Sequence, residues 1–316
     1  MLHSTALTSA FPDGSSAITA TSELTERTSE AARFTLGGRV RAVWAAREIL
    51  ANLVRKELKV KYTASALGAV WSLLNPVVYL AVFSFVVRVL RSDVPDFPVF
   101  LLSGLLAWNL FSTATSQGAR AVIDNASLVK KVAFPREILP LSSAGVALVD
   151  FVLQSIVLVL FVVISGHGLA IQFVWLYPLA VAALAVFTVA VTFWVSALNV
   201  RYRDVQHLVG IALVVWFWLT PIVYPPALVQ STLADSAIAG VRLFDLYLVN
   251  PMAAIVSGFH RAIYADVSVG GTAVLPAGSL AWAGLVTAVA LIGSGVLLLL
   301  SWRTFHRLSG DFAEEL

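Results

Sequence analysis

The chain has 316 residues, 59% hydrophobic and only 12% charged, a balance that excludes an ordinary soluble domain and puts it in the membrane class. Cysteine is absent, which rules out structural disulfides, cysteine-ligated zinc and thiol chemistry in this chain. The net charge of +3 is read first as membrane topology and not as a nucleic-acid partner.

In chain order, residues 1–36 are rich in Ser, Thr, Ala and Glu and hold no apolar run of signal-peptide length. They read as a disordered, uncleaved cytoplasmic tail. The remainder, 37–316, reads as one transmembrane domain. Its first stretch, "RVRAVWAAREILANLVRKELKVK" (39–61), carries charges too often to span. At about 100° per residue, Arg41, Glu48, Asn52, Arg55, Lys56 and Lys59 gather on one side, with Val43, Ala46, Leu50, Leu53 and Val54 opposite. The pattern predicts an amphipathic helix on the inner membrane surface, either a lipid anchor or a docking site for a partner.

Six apolar runs reach spanning length: about 67–90, 98–119, 139–164, 173–198, 207–224 and 280–301. The expected fold is therefore an all-α integral membrane protein with six transmembrane helices and an N-terminal interface helix. Nine Lys and Arg precede the first run, four fall in 120–138, two in 199–206 and two after the last, while Arg88, Arg91, Arg242 and Arg261 fall on the opposite side. The positive-inside rule then puts both termini and the 120–138 and 199–206 loops in the cytoplasm.

Within the first of these loops, Pro135 forces Phe134 out of the helical region, so "SLVKKVAF" predicts a short helix and "PREILP" a turn. Lys130, Lys131, Arg136 and Glu137 would face the cytoplasm on a rigid knob with Phe134 at its tip. The second loop, "NVRYRDVQH" (199–207), is similarly compact around Arg201, Arg203 and Asp204. Ordinary positive-inside anchoring and a protein socket both remain open for these loops. Between the fifth and sixth runs, "NPMAAIVSGFHRAIY" (250–264) is helical in pattern but too short to span, and His260 and Arg261 would be costly in lipid. It is expected in the outer interface, or re-entering the membrane under cover of protein.

No enzyme signature occurs: the dipeptide Gly-Lys is absent, so there is no phosphate loop, and neither H-E-x-x-H nor G-x-S-x-G is present. The five histidines are scattered, which argues against a metal site. Asp150, in "VALVDFVLQS", falls mid-span with no evident intramembrane Lys or Arg partner. It reads as a hydrogen-bonded or partly hydrated helix contact, or as the coupling residue of an ion-driven transporter. Trp108, Phe111, Trp194, Trp216, Trp218 and Tyr224 form an interface belt or, alternatively, a channel lining on which sugars stack.

Four blocks carry a resemblance: "VRKELKVKYTASALGAVWSLLNPVVYL" (54–80), "NASLVKKVAFPREILPLSS" (125–143), "ALNVRYRDVQHLVGIALVVWFWLTPIVYP" (197–225) and "LVNPMAAIVSGFHRAIY" (248–264). In order and spacing they resemble the membrane subunit of type-2 ABC exporters for O-antigen polysaccharide, teichoic acid, galactan and related glycans. The resemblance implies a homodimer that recruits two copies of a soluble ABC ATPase, with Mg-ATP on that partner and no cofactor on this chain. Arg47, Glu48 and Arg55 of the interface helix, Lys130, Lys131, Phe134, Pro135, Arg136 and Glu137 of the first loop, and Arg201, Arg203 and Asp204 of the second would then couple to the ATPase. Pro221, Pro225, Asn250, Pro251, His260 and Arg261 would belong to short outer gate helices. The cargo would be a polysaccharide on a polyprenyl diphosphate, drawn to a basic inner entrance at Lys56, Lys59 and Lys61. Two other readings stay in play: a drug exporter of the same superfamily, and an ion-coupled transporter using Asp150.

Overall fold

The computed structural model describes residues 35–63, 74, 77–82, 85, 96–233, 237–238, 241–269 and 272–316. The expected tail lies outside them except for its last two residues, and so does most of the first predicted span, of which 77–82 are helical.

The described helices are α1 (Leu36–Ala45), α2 (Arg47–Thr63), α3 (Phe97–Asp124), α4 (Ala126–Lys131), α5 (Ile138–Ile164) and α6 (Phe173–Arg201), followed by α7 (Val205–Trp218), α8 (Pro226–Thr232), α9 (Leu243–Tyr247), α10 (Pro251–Ile263), α11 (Leu280–Leu308) and α12 (Phe312–Glu315). Two antiparallel ladders of two residues a strand, 237–238 with 241–242 and 268–269 with 272–273, interrupt an otherwise helical fold.

The expected interface helix is two nearly continuous helices meeting at Ala46, where φ is −94° and ψ 14°, and the ladder resumes with Leu50 N–H donating to Ala46 O at 3.1 Å. Its faces fall as the periodicity predicts: Ala46 and Leu53 are buried, while Arg41, Glu48, Asn52, Arg55, Lys56 and Lys59 are exposed.

Among the described residues four helices, α3, α5, α6 and α11, are long and apolar enough to cross a bilayer, and they coincide with four of the predicted spans. The predicted span 207–224 is helical only in its first part, as far as Trp218. Helix α7 has 14 residues, rising about 21 Å, which falls short of a hydrocarbon core of roughly 30 Å. The apolar run continues past Trp218, but Pro221 lacks an N–H and disfavours helical geometry at Thr220, whose hydroxyl instead donates back to Trp216 O at 2.9 Å.

Helix α3 is the axis of the bundle, packing against α5, α6, α7 and α10, while α11 lies along α6. Two cores result. The larger joins α3, α5, α6, α7 and α10, and the smaller, built on Val122, Val129, Ile138, Phe193, Phe305 and Phe312, lies at one end. That end also carries α1, α2, α4 and the turn between α6 and α7, and will be called the basic end. At Gly118 the close approach of α3 to α6 leaves no room for a side chain, because an added Cβ would stand 2.1 Å from Thr192 Cγ2.

At the opposite end α10 is enclosed by α3, α6 and α11, with Met252 to Val256 and Gly258 to His260 buried. Protein covers this short helix, the condition under which re-entrant backbone is tolerated.

Candidate functional site

At the basic end α2 is seated on the first half of α5 at Gly145, Ser142 and Asp150. Val54 enters a notch left by Gly145, where an added Cβ would stand 2.8 Å from Val54 Cγ2. Ser142 Oγ donates to Glu57 Oε1 at 3.3 Å. Lys61 Nζ lies 2.6 Å from Asp150 Oδ2, and the Tyr62 hydroxyl donates to Oδ1 of the same carboxylate. The cationic partner of Asp150 thus comes from the interface helix, a part of the chain not counted among the spans. Lys61, expected at a basic entrance with Lys56 and Lys59, is exposed as they are but is held by this carboxylate.

The loop after α4 differs from the expected knob in two respects. Its exposed tip is Lys130 to Ala133, and Phe134 turns inward, half-buried against the smaller core. Glu137 is buried and does not face solvent: Arg39 Nη2 lies 3.0 Å from its Oε1 and Trp302 Nε1 donates to the same oxygen at 3.3 Å. Arg39 also bonds His306 Nδ1, so α1, α11 and the start of α5 meet at one carboxylate. A buried carboxylate is tolerated when it is paired in this way. Pro135 and Arg136 are half-buried, with the Arg136 guanidinium 6.0 Å from the centre of the Phe312 ring. Lys130, Lys131, Arg47, Glu48 and Arg55 are exposed.

The second turn is held from beneath. Asn199 Nδ2 donates to Ala119 O at 2.9 Å, and Asn199 Oδ1 accepts from Gln206 N at 2.9 Å, leaving Arg201, Arg203 and Asp204 exposed above it.

The aromatic residues expected to line a channel divide into two groups. Phe111 is enclosed in the larger core, 5.4 Å from Phe187 and 5.2 Å from Trp216 between ring centres, so it lines nothing, a correction to its expected place. Trp108 is mostly buried but borders a cavity of about 280 Å³ together with Tyr79, Asn109, Ser112, Phe217 and Trp218. Trp194 and Trp218 are exposed. Trp216 is half-buried and donates through Nε1 to Asn250 Oδ1 at 2.8 Å, and the Tyr224 hydroxyl donates to Trp218 O at 2.8 Å.

The gate residues are likewise built into a frame. Asn250 caps α10 by accepting from Met252 N at 3.1 Å, with Pro251 at the first helical position, and its amide donates to Leu219 O at 3.1 Å. His260 is fully buried, stacked on Phe100 at 3.9 Å with Nε2 3.1 Å from Phe100 O, and Arg261 donates to Tyr264 O at 2.7 Å. Pro221 is buried and Pro225 half-buried in the turn that leads away from α7.

Sequence reasoning missed Arg39, Tyr62, Asn199 and Trp302. Each bonds at least one partner distant in the chain, so no local periodicity marks it. Only the Asn-Pro pair at 250–251 announced itself, as a helix start.

Together these features define a multi-pass helical membrane protein with a solvent-exposed charged platform at one end and an enclosed short helix at the other. Residues 49–264 match the family described as ABC-2 type transporter, and the chain belongs to that family as the membrane permease subunit of a type-2 ABC exporter. It is 35% identical over 226 residues to the O-antigen export system permease protein RfbA of Myxococcus xanthus, a match covering 71% of this chain and 84% of that one. Two proteins of the same name from Klebsiella pneumoniae are 33% and 29% identical, each over 56% of this chain and 69% of theirs. Family membership makes this chain a multi-pass protein of the bacterial inner membrane and assigns ATP hydrolysis to a separate partner subunit.

Proposed function

We propose that this chain is the permease half of an ATP-driven exporter that moves a lipid-diphosphate-linked polysaccharide, of O-antigen, teichoic acid or galactan type, out across the inner membrane. The relatives' role in O-antigen export supports the cargo class. The observation that carries the reading is the basic end, where the charged face of α2, the loop after α4 and the 201–204 turn rise from one shared apolar core.

In this reading both termini and these loops are cytoplasmic, by the excess of Lys and Arg. Six spans form each protomer, with the 67–90 run as the first and α7 with its following turn as the fifth. Two copies of the chain pair, and two soluble ATPases carrying Mg-ATP dock on the platform. Arg47, Glu48, Arg55, Lys130, Lys131, Arg201, Arg203 and Asp204 meet the motor directly, while Phe134, Pro135, Arg136 and Glu137 fix the loop that bears the lysines. The segment from Pro221 through Arg261 forms the outer gate. Lys56 and Lys59, being exposed, attract the lipid diphosphate at the inner surface. Trp194 and Trp218 offer sugars weak stacking contacts, since tight ones would halt translocation. Ion coupling through Asp150 loses ground because Lys61 already compensates that charge.

Depletion of the chain in its host is expected to remove a surface polysaccharide. The double reversal Lys130→Glu, Lys131→Glu should cut export and stimulated ATP hydrolysis more than about tenfold while the protein stays in the membrane at its normal level. Unchanged export in that variant sinks the docking claim. Intact surface glycan with new drug sensitivity on depletion would move the cargo to small amphiphiles.

A further inference from the structure

Lys61 and Asp150 are 89 residues apart in the chain, yet they form the ion pair that joins the surface helix to the membrane-crossing bundle. Asp150 lies about 18 Å along α5 from Ile138, well inside a helix long enough to cross the membrane. Its side chain is 11% exposed, and both of its oxygens are engaged, one by Lys61 Nζ and one by the Tyr62 hydroxyl. A lysine at a membrane surface ordinarily extends toward the headgroups. Lys56 and Lys59 are free to do so, whereas the next lysine along is bound to a carboxylate of the span.

The geometry points to Lys61, Tyr62 and Asp150 as a latch that transmits movement of the interface helix into α5. They are positioning residues of the transport cycle and not ligands of the cargo. The inference rests on the reading of this chain as an ATPase-driven permease. An apolar contact such as Val54 against Gly145 resists separation but lets helices slide or rotate. A carboxylate held at both oxygens by adjacent residues fixes rotation and register together, because either motion leaves a desolvated charge unpaired. The opposite face of α2, with Glu48 and Arg55 exposed, is the face on which a docked motor would push. Force applied there reaches the bundle where α2 is pinned, at Asp150, and not only at the loop after α4.

The test uses the full transporter in its own membrane. Asp150→Asn and Lys61→Gln are each expected to lower export at least about tenfold with ATPase co-purification unchanged, and the exchange Lys61→Asp, Asp150→Lys to recover it. The double neutral variant Lys61→Gln, Asp150→Asn leaves no unpaired charge. It should regain the melting temperature of the wild type without regaining export. A double neutral that exports normally, or an Asp150→Asn that does, overturns the latch.

The chain has no cysteine, so Val54→Cys with Gly145→Cys reports directly on the seating of α2, the Val54 Cγ atoms being 2.8 and 3.9 Å from an added Gly145 Cβ. In the Asp150→Asn background this disulfide should restore export under oxidation and lose it again under dithiothreitol. If depletion of the wild type leaves the surface glycan intact, the exporter reading fails on its own. The latch is then judged by disulfide rate alone, expected to be at least about tenfold slower without Asp150. Equal rates overturn it whatever the cargo.

Discussion

Glu57 sits half-buried where α2 meets α5, its Oε1 accepting from Ser142 Oγ. Burial pushes its carboxyl above the ordinary 4.5, an effect only partly opposed by the Ser142 hydrogen bond and the nearby Lys56 charge. The folded state therefore favours the protonated form, so this group's contribution to stability is full below its unfolded value and is lost as pH rises through the raised folded one. Glu57→Gln keeps an acceptor for Ser142 and removes the charge. Its melting midpoint in detergent should exceed that of the wild type at pH 7.5, with the gain vanishing below about pH 4.5; a difference independent of pH would refute the assignment. Such residues are hard to read from the sequence. Periodicity sorted α2 correctly into a charged and an apolar face, but Glu57, Lys61 and Tyr62 sit where that surface meets α5, and their partners are more than 80 residues away. Glu137 was misplaced for a related reason: a charge in a short polar loop is usually exposed, and nothing nearby in sequence announces Arg39 or Trp302.

Elements were legible where their signals are local. The Asn250-Pro251 start of α10 follows from capping chemistry, and α3, α5, α6 and α11 from sustained hydrophobicity. The end of α7 was not legible, because Leu219 to Tyr224 is apolar enough to extend a span across the proline at 221. Structurally, one side chain ties the two regions together. Asn250 accepts from Met252 N and Trp216 Nε1 and donates to Leu219 O, so the end of α7 and the start of α10 share a joint. Asn250→Ala should cost about 1–3 kcal/mol, since it removes a helix cap and leaves a half-buried indole N–H without its acceptor. Asn250→Asp retains both acceptor contacts and should lose distinctly less. Thermal midpoints of the two variants in the same detergent decide the matter, and equal losses would mean that the donated bond to Leu219, not the cap, holds the joint.

For the whole molecule, the proposed pairing of two copies raises the question of which apolar surface would meet the second copy and which would meet lipid. Leu285, Val289, Ile292 and Val296 of α11 are exposed on a helix of 29 residues, long enough to match a bilayer, so lipid suits them. Leu208, Ile211, Val214 and Trp218 of α7 are exposed on a helix that ends after 14 residues and gives way to the turn at Leu219. Non-helical backbone at membrane depth needs protein or a water-filled cavity beside it, and the cavity bordered by Trp108 and Trp218 opens on this same side. In the proposed dimer, a second copy applied to α7 would supply that cover and, by twofold symmetry, would set two aromatic-lined cavities across a common axis. Single cysteines in this cysteine-free chain separate the alternatives: Ile211 and Ile292 are 66% and 67% exposed, so reagent access is matched. Oxidation of Ile211→Cys in native membranes should yield a covalent dimer, and Ile292→Cys should remain a monomer. The reverse result would assign the pairing face to α11 and leave α7, with its short helix and interrupted backbone, needing some other protein to cover it.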